Sequence, residues 1–383
     1  MATQVPGPVR TAIVGAGSIA RVHANAMREL GAAAEIVAAA DIDDVRLKAF
    51  CDEHGVPRGY RDIGDLLAET RPDVVHLCTP PELHHRHALR CLRAGSSVLV
   101  EKPPALSLGQ FDEITEAERQ PGRAGGPGRA GPWFATVFQH RFGPGHRRLK
   151  ALTAAGALGR PLFAVCHTLW FRDQAYFDVA WRGRWDTEGG GPTMGHGIHQ
   201  MDMLADILGD WAEVTATARQ QDRRMETEDI SLAHVTFASG AVASVVNSVL
   251  SPREESYLRF DFERATVEVT HVYGYRDEDW RITPAPGCGP EVLDGWRAAG
   301  QPGAAARPGP PPGRTGHLQQ IAAVQRSLRE GTRPPVTPPD SRRTLSLVTA
   351  IYASAFTGRP VGPADLGPAS PFYARMDGSG TRW

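Results

Sequence analysis

Lysine is scarce in this 383-residue chain: of 42 basic residues only Lys48, Lys102 and Lys150 are lysines. Arginine carries surface charge as well as lysine does, but it does not readily release its proton. Lys102 stands in Glu101-Lys102-Pro103, directly after the apolar run Ser97–Val100. The following proline disfavours a helical conformation at Lys102 and leaves it extended, so its amine is free to point into a cleft. His196 and His199 add two side chains that titrate near neutrality. A hydroxyl that gives up a hydride must also give up its proton, to a group within about 3 Å, and an amine or an imidazole suits that task. The plainer reading of Lys102 is an ion pair with Glu101 or a contact to phosphate.

A second group of residues points to a dinucleotide. Gly15-Ala16-Gly17-Ser18-Ile19-Ala20 fits the pattern G-x-G-x-x-A. It follows an apolar run, opens a helical pattern, and is answered by Asp41 at the end of the next apolar run, the context in which the pattern carries meaning. Gly15 permits the tight turn, Gly17 lets the backbone approach a pyrophosphate, and Ala20 keeps helix and sheet close. The helix start offers free N–H groups to the phosphates. Asp41 accepts from ribose hydroxyls and repels a 2′-phosphate, so NAD is expected rather than NADP; Arg46, a turn further on, weighs against that preference. The bland alternative is a glycine turn that binds nothing.

The elements that must hold these residues come in two styles. Residues 10–15, 35–40, 73–78 and 97–100 read as strands alternating with helices at 18–30, 43–53 and 83–94, the rhythm of a parallel, doubly wound sheet. Residues 134–139 read as its last strand. After a helix at 145–155, strands at 162–171, 212–219, 230–238, 241–249, 257–262 and 265–270 are mostly consecutive, with turns at Ser239-Gly240 and Glu263-Arg264. Consecutive strands predict an antiparallel sheet. Helices at 317–330 and 341–355 follow. The expected organisation is an α/β N-terminal Rossmann domain (1–141), an α+β C-terminal domain with a mostly antiparallel open sheet (142–361), and an irregular tail (362–383). The Gly/Pro-rich stretches 120–132 and 297–316 are expected to be mobile and dispensable for the fold.

Composition narrows the classes. With 41% hydrophobic and 22% charged residues the chain is ordinary for a globular protein, and its net charge of −1 gives no attraction to nucleic acid or an anionic membrane. No apolar run approaches the roughly 20 residues of a bilayer span, and Met1–Arg10 lacks the pattern of a signal peptide. The five cysteines are an odd number without a C-x-x-C pair, which predicts reduced thiols and a cytoplasmic location.

Taken together, these segments resemble the Gfo/Idh/MocA family, the glucose–fructose oxidoreductase and inositol dehydrogenase group. The matching stretches are Gly15–Ala20, Cys78-Thr79-Pro80-Pro81-Glu82-Leu83-His84, Leu92–Pro103, Gln139-His140-Arg141-Phe142 and Gly156-Ala157-Leu158-Gly159. Further along they are Gly189-Gly190-Gly191, Gly197-Ile198-His199-Gln200-Met201-Asp202, Tyr352-Ala353-Ser354 and Thr357–Val361. The resemblance implies a homo-oligomer, dimer or tetramer, formed through the C-terminal sheet. It implies oxidation of a secondary hydroxyl on a sugar or cyclitol, or the reverse, with Lys102 and His199 at the reacting hydroxyl. Thr79 and Pro80 would flank the dinucleotide, with His84 near its edge.

Other candidates are less determined. Trp170, Arg172 and Trp181 suit a polyhydroxylated ring or simply a strand surface or interface; Arg141 and Asp202 join them as candidate substrate contacts. His196, His199 and Asp202 lie three apart, but the spacing is irregular for a metal site, and none is assigned. The related pattern carries aspartate or asparagine four residues before the site histidine, where this chain has Gly195; His196, next to it, is a candidate for the missing polar group. Two rival readings remain at this point: an NAD-using enzyme with transient oxidation and no net redox change, and a non-catalytic dinucleotide-binding regulator.

Overall fold

The structure, a computed structural model, describes residues 7–31, 34–120, 131–300 and 316–378. Most of the two Gly/Pro-rich stretches, 121–130 and 301–315, lies outside the described residues. The first half runs β1 (Val9–Val14), α1 (Ser18–Glu29), β2 (Ala34–Ala40), α2 (Asp44–His54), β3 (Gly59–Tyr60), α3 (Ile63–Thr70), β4 (Val74–Leu77), α4 (His84–Arg93), β5 (Ser97–Val100), α5 (Leu108–Arg119) and β6 (Phe134–Thr136). The second runs α6 (Pro144–Ala154), β7 (Pro161–Phe171), α7 (Gln174–Phe177), α8 (Ile198–Leu208), β8 (Trp211–Arg219), β9 (Ile230–Phe237), β10 (Val242–Ser248), β11 (Leu250–Phe262), β12 (Ala265–His271), β13 (Trp280–Pro284), α9 (Glu291–Ala298), α10 (His317–Glu330), α11 (Pro338–Thr357) and α12 (Pro371–Ala374). Two compact units interleave along the chain: Met1–Ala105 with Gln110–Val137 and His317–Ser341, and Leu106–Gly109 with Phe138–Gly316 and Arg342–Trp383.

In the first unit six parallel strands take the order β3-β2-β1-β4-β5-β6. Every residue of β4 and β5 is buried, as strands covered on both faces must be. The chain reverses direction across the sheet between β1 and β4, and ligands of open α/β sheets bind beyond the strand ends at such a point. Asp43 caps α2 by accepting from Arg46 N, and Gly55 ends the helix with φ 66°. No side chain caps α1, whose N-cap is Gly17. The helix α10 belongs to this unit: Ile321 and Val324 share a core with Val9, Met27, Leu99 and Trp133.

The second unit holds seven strands in the order β13-β12-β11-β7-β10-β9-β8. The expected mostly antiparallel sheet is present, with one exception. β7 and β10 pair in parallel, because the chain passes through α7, α8, β8 and β9 before returning beside β7. Residues 257–262 are the end of a longer strand, β11, whose register slips between Leu250 and Glu255. Val361 bridges to Val214, and Pro363–Leu366 and Pro371–Ala374 form short helical turns. α8 lies against β7 and β11 and buries Ile198, Met201, Leu204 and Ala205.

Candidate active site

In the first unit the glycine turn is built around backbone contacts. Gly15 has φ +90°, and a Cβ there would fall 2.6 Å from the Cys78 carbonyl oxygen. Only glycine fits a turn pressed so closely against the end of β4. Gly17 differs, for nothing lies within 4 Å of where its Cβ would stand. That open cradle at the uncapped start of α1 fits a pyrophosphate. Ser18 and Ile19 begin the helix, and Ala20 is fully buried against the sheet. Asp41 accepts from Ala16 N at 2.7 Å and Asp43 N at 2.9 Å, so it anchors the turn. Arg46 Nε sits 3.5 Å from the same carboxylate.

Thr79-Pro80 follows β4 and Glu101-Lys102-Pro103 follows β5. His84 ties the two segments together, with Nδ1 2.7 Å from the Pro103 carbonyl and Nε2 2.8 Å from that of Thr79. Glu101 is buried among histidines that sequence reasoning did not single out. His23 Nε2 lies 2.9 Å and His317 Nε2 3.1 Å from Glu101 Oε1, and His23 Nδ1 lies 3.0 Å from His76 Nδ1. Burial pushes the Glu101 carboxyl up, but hydrogen bonds from His23 and His317 pull it well below the usual range. Burial pushes both His23 and His76 down. Glu101 is therefore the charge and the His23 and His76 rings are neutral: His23 and His317 each donate to Glu101 through Nε2, and His23 Nδ1 accepts from His76 Nδ1. The three ligand-type atoms of His23, Glu101 and His317 fall within 4.8 Å of one another. Their separations from the carboxylate are those of N–H···O bonds, which account for the cluster.

In the second unit the histidine segment is helical. Thr193–Gly197 forms a π-turn that leads into α8, so His196 and His199 lie on consecutive turns. Both are buried. The His199 ring packs edge-on against His140 at 5.1 Å and Tyr273 at 5.9 Å; His196 packs edge-on against Trp170 at 5.1 Å. Glu228 holds the segment from below. It accepts from Gly191 N and Thr193 N, each at 3.0 Å, and from the Tyr352 hydroxyl at 2.9 Å. The run of glycines follows from this packing: a Cβ on Gly190 would lie 2.1 Å from the Tyr352 hydroxyl, and one on Gly191 would lie 1.9 Å from the Glu228 carbonyl oxygen.

The remaining candidates are spoken for by protein partners. Arg141 meets Asp202 through two bonds of 2.6 Å, Thr344 donates to the same carboxylate, and Arg141 also reaches Asp206. Trp170 Nε1 donates to Ser256 Oγ at 2.9 Å. Arg172 pairs with Glu254 at 2.7 Å and lies over Trp170, while Trp181 is stacked by Arg182 at 4.2 Å. His140, Tyr176, Glu188, Glu228 and Tyr273 are additions made by the structure. Of these, only His140 stands in a segment, Gln139–Phe142, whose match to the family could have pointed to it.

Residues 9–127 match the oxidoreductase family with NAD-binding Rossmann fold, and residues 146–270 match the GFO/IDH/MocA C-terminal domain. The D-apiose dehydrogenase of Paraburkholderia graminis is 28% identical over 91% of this chain and 88% of its own. The 1,5-anhydro-D-fructose reductase of Ensifer adhaerens is 30% identical over 61% of this chain and 67% of its own. Among solved structures, the WlbA dehydrogenase of Bordetella pertussis in complex with NADH and UDP-GlcNAcA superposes with a TM-score of 0.79 at 26% identity, over 93% of this chain and 98% of that one. With both of its sheets, its glycine turn and its strand-end lysine in place, the chain belongs to the Gfo/Idh/MocA family of NAD-binding oxidoreductases.

Proposed function

We propose that this protein moves a hydride between NAD and a secondary hydroxyl, or the matching ketone, of a sugar, sugar derivative or cyclitol. One observation carries the reading. The open cradle at Gly17, the Thr79-Pro80 segment and Lys102 follow β1, β4 and β5, three adjacent strands that end at one edge of the same parallel sheet. Relatives named as sugar and inositol dehydrogenases supply the substrate class. Gly15–Ala20 and the start of α1 hold the phosphates, and Asp41 takes the ribose hydroxyls and disfavours the extra phosphate of NADP. When bound, NAD accepts or returns the hydride. Lys102 accepts the hydroxyl proton at Nζ as principal base. His199 hydrogen-bonds the substrate and is the back-up base.

The outer face of the C-terminal sheet supports a homo-oligomer. Phe163, Leu232 and Val242 are 38%, 47% and 46% exposed, and Phe163 and Val242 are register partners on adjacent strands. An exposed apolar sheet face of this kind marks an interface. All five cysteines are unpaired, which supports a reducing compartment, the cytoplasm. No helix among the described residues is long and apolar enough to cross a membrane.

Lys102→Ala tests the assignment. Turnover should vanish while NADH binding, followed by its fluorescence, stays close to wild type. Equal loss of both would move Lys102 into the phosphate-binding role.

A further inference from the structure

Glu188 has no part in the reaction just described, yet its carboxylate is buried beside the segment that carries both histidines. Oε2 accepts from Gly183 N at 2.7 Å and Oε1 from Arg182 Nη1 at 3.2 Å. Oε1 also lies 3.5 Å from where a Cβ of Gly195 would stand, so the carboxylate fills the open side of that glycine. Arg182 extends the contact. It donates to the Tyr176 hydroxyl oxygen, and its guanidinium lies 3.9 Å over the Tyr176 ring. Once the oxygen accepts from Arg182, the hydroxyl hydrogen is directed elsewhere, and His196 Nε2 lies 3.4 Å away. A buried acid, an arginine and a phenol thus run in series to a histidine of the site.

We propose that Glu188 is a positioning residue: lying beside Gly195, it fixes His196 through Arg182 and Tyr176. The kinetic part of the claim rests on the reaction proposed above; the structural part does not. A buried, hydrogen-bonded network of this type rigidifies its members and so holds the last of them in one orientation. A shift of about 1 Å in such a group lowers turnover by up to roughly 100-fold.

The experiment combines Glu188→Gln, Glu188→Ala, Gly195→Asp and the double variant Glu188→Ala/Gly195→Asp. NADH fluorescence confirms folding, and kcat and KM are measured with NAD and whichever of myo-inositol, D-apiose or methyl glucoside the wild type turns over. Glu188→Gln, nearly the same shape, should lower kcat about tenfold or more and leave the KM for NAD unchanged. Gly195→Asp alone sets a second carboxylate against the first and should lower kcat; with Glu188→Ala it should recover, so that the double variant outruns Glu188→Ala. A purely structural Glu188 predicts a silent Glu188→Gln and effects that simply multiply, and either result overturns the proposal. If the wild type reduces NAD with none of these sugars, the reaction fails, but a crystal structure of Glu188→Gln still decides the positioning. Displaced Tyr176 and His196 side chains support it; an unchanged Tyr176–His196 contact overturns it.

Discussion

Between pH 5 and 8 Glu228 should contribute a progressive loss of stability to the wild-type fold, and Glu228→Gln should lack that contribution. Glu228 is fully buried. Burial raises its carboxyl to about 7, against the pull of the Thr193 backbone and side chain, Gly191 N–H and the Tyr352 hydroxyl. In the unfolded chain the same group titrates near its ordinary 4.5. Between those two values the folded state binds the extra proton, so stability falls as pH rises through the window and is level above it. The span corresponds to about 3 kcal/mol at roughly 1.4 kcal/mol per pH unit. Glutamine has its own fixed effect, because its NH₂ faces a backbone donor that the carboxylate had satisfied, but that offset does not vary with pH. The assay is thermal unfolding of both proteins at pH 5, 6, 7 and 8. The wild type should lose several degrees relative to the variant across the series. A constant difference would show that Glu228 ionises in the ordinary carboxylate range, and that the clamp on Gly191 and Thr193 is charged throughout.

Two further outcomes bear on the site. His199→Ala should lower kcat by about 100-fold or more, the usual scale for a positioned acid–base group, and His196→Ala by less; steady-state kinetics showing the opposite order would put the proton path through His196. Glu101→Ala strands the N–H groups of His23 and His317 in the core, at about 1–3 kcal/mol for each buried donor, so its melting temperature should drop markedly. An unchanged Tm would mean that water reaches the cluster.

The Rossmann half was readable because its signals are local. Gly15, Gly17 and Asp41 mark a strand–turn–helix–strand unit whose backbone geometry permits few other residues, and the strand-end lysine is flagged by its scarcity and by Pro103. The C-terminal sheet was readable as consecutive strands joined by short turns such as Ser239-Gly240. Pairing partners were not: nothing near residue 165 in sequence says that β10 will return parallel to β7. Contacts of long separation escaped for the same reason. His23, Glu101 and His317 are brought together only once α1, β5 and α10 pack, and burial, invisible in the sequence, is what makes the cluster a charge network. Glu188 and Gly195 are close in sequence, but their contact depends on a turn at Gly183 with φ +64° and on a π-turn that residue types alone do not announce.

The reaction proposed for this protein is net hydride transfer to NAD from a sugar-like alcohol. Its most direct test is to incubate the purified protein with NAD and a panel of aldoses, glucosides, uronic sugars and inositols, following absorbance of NADH and product together. NADH should appear in equal amount to oxidised product for at least one compound, with NADP the poorer cofactor. Product without NADH would indicate transient oxidation, and neither product nor NADH across the panel would leave a dinucleotide-binding protein that is not this enzyme.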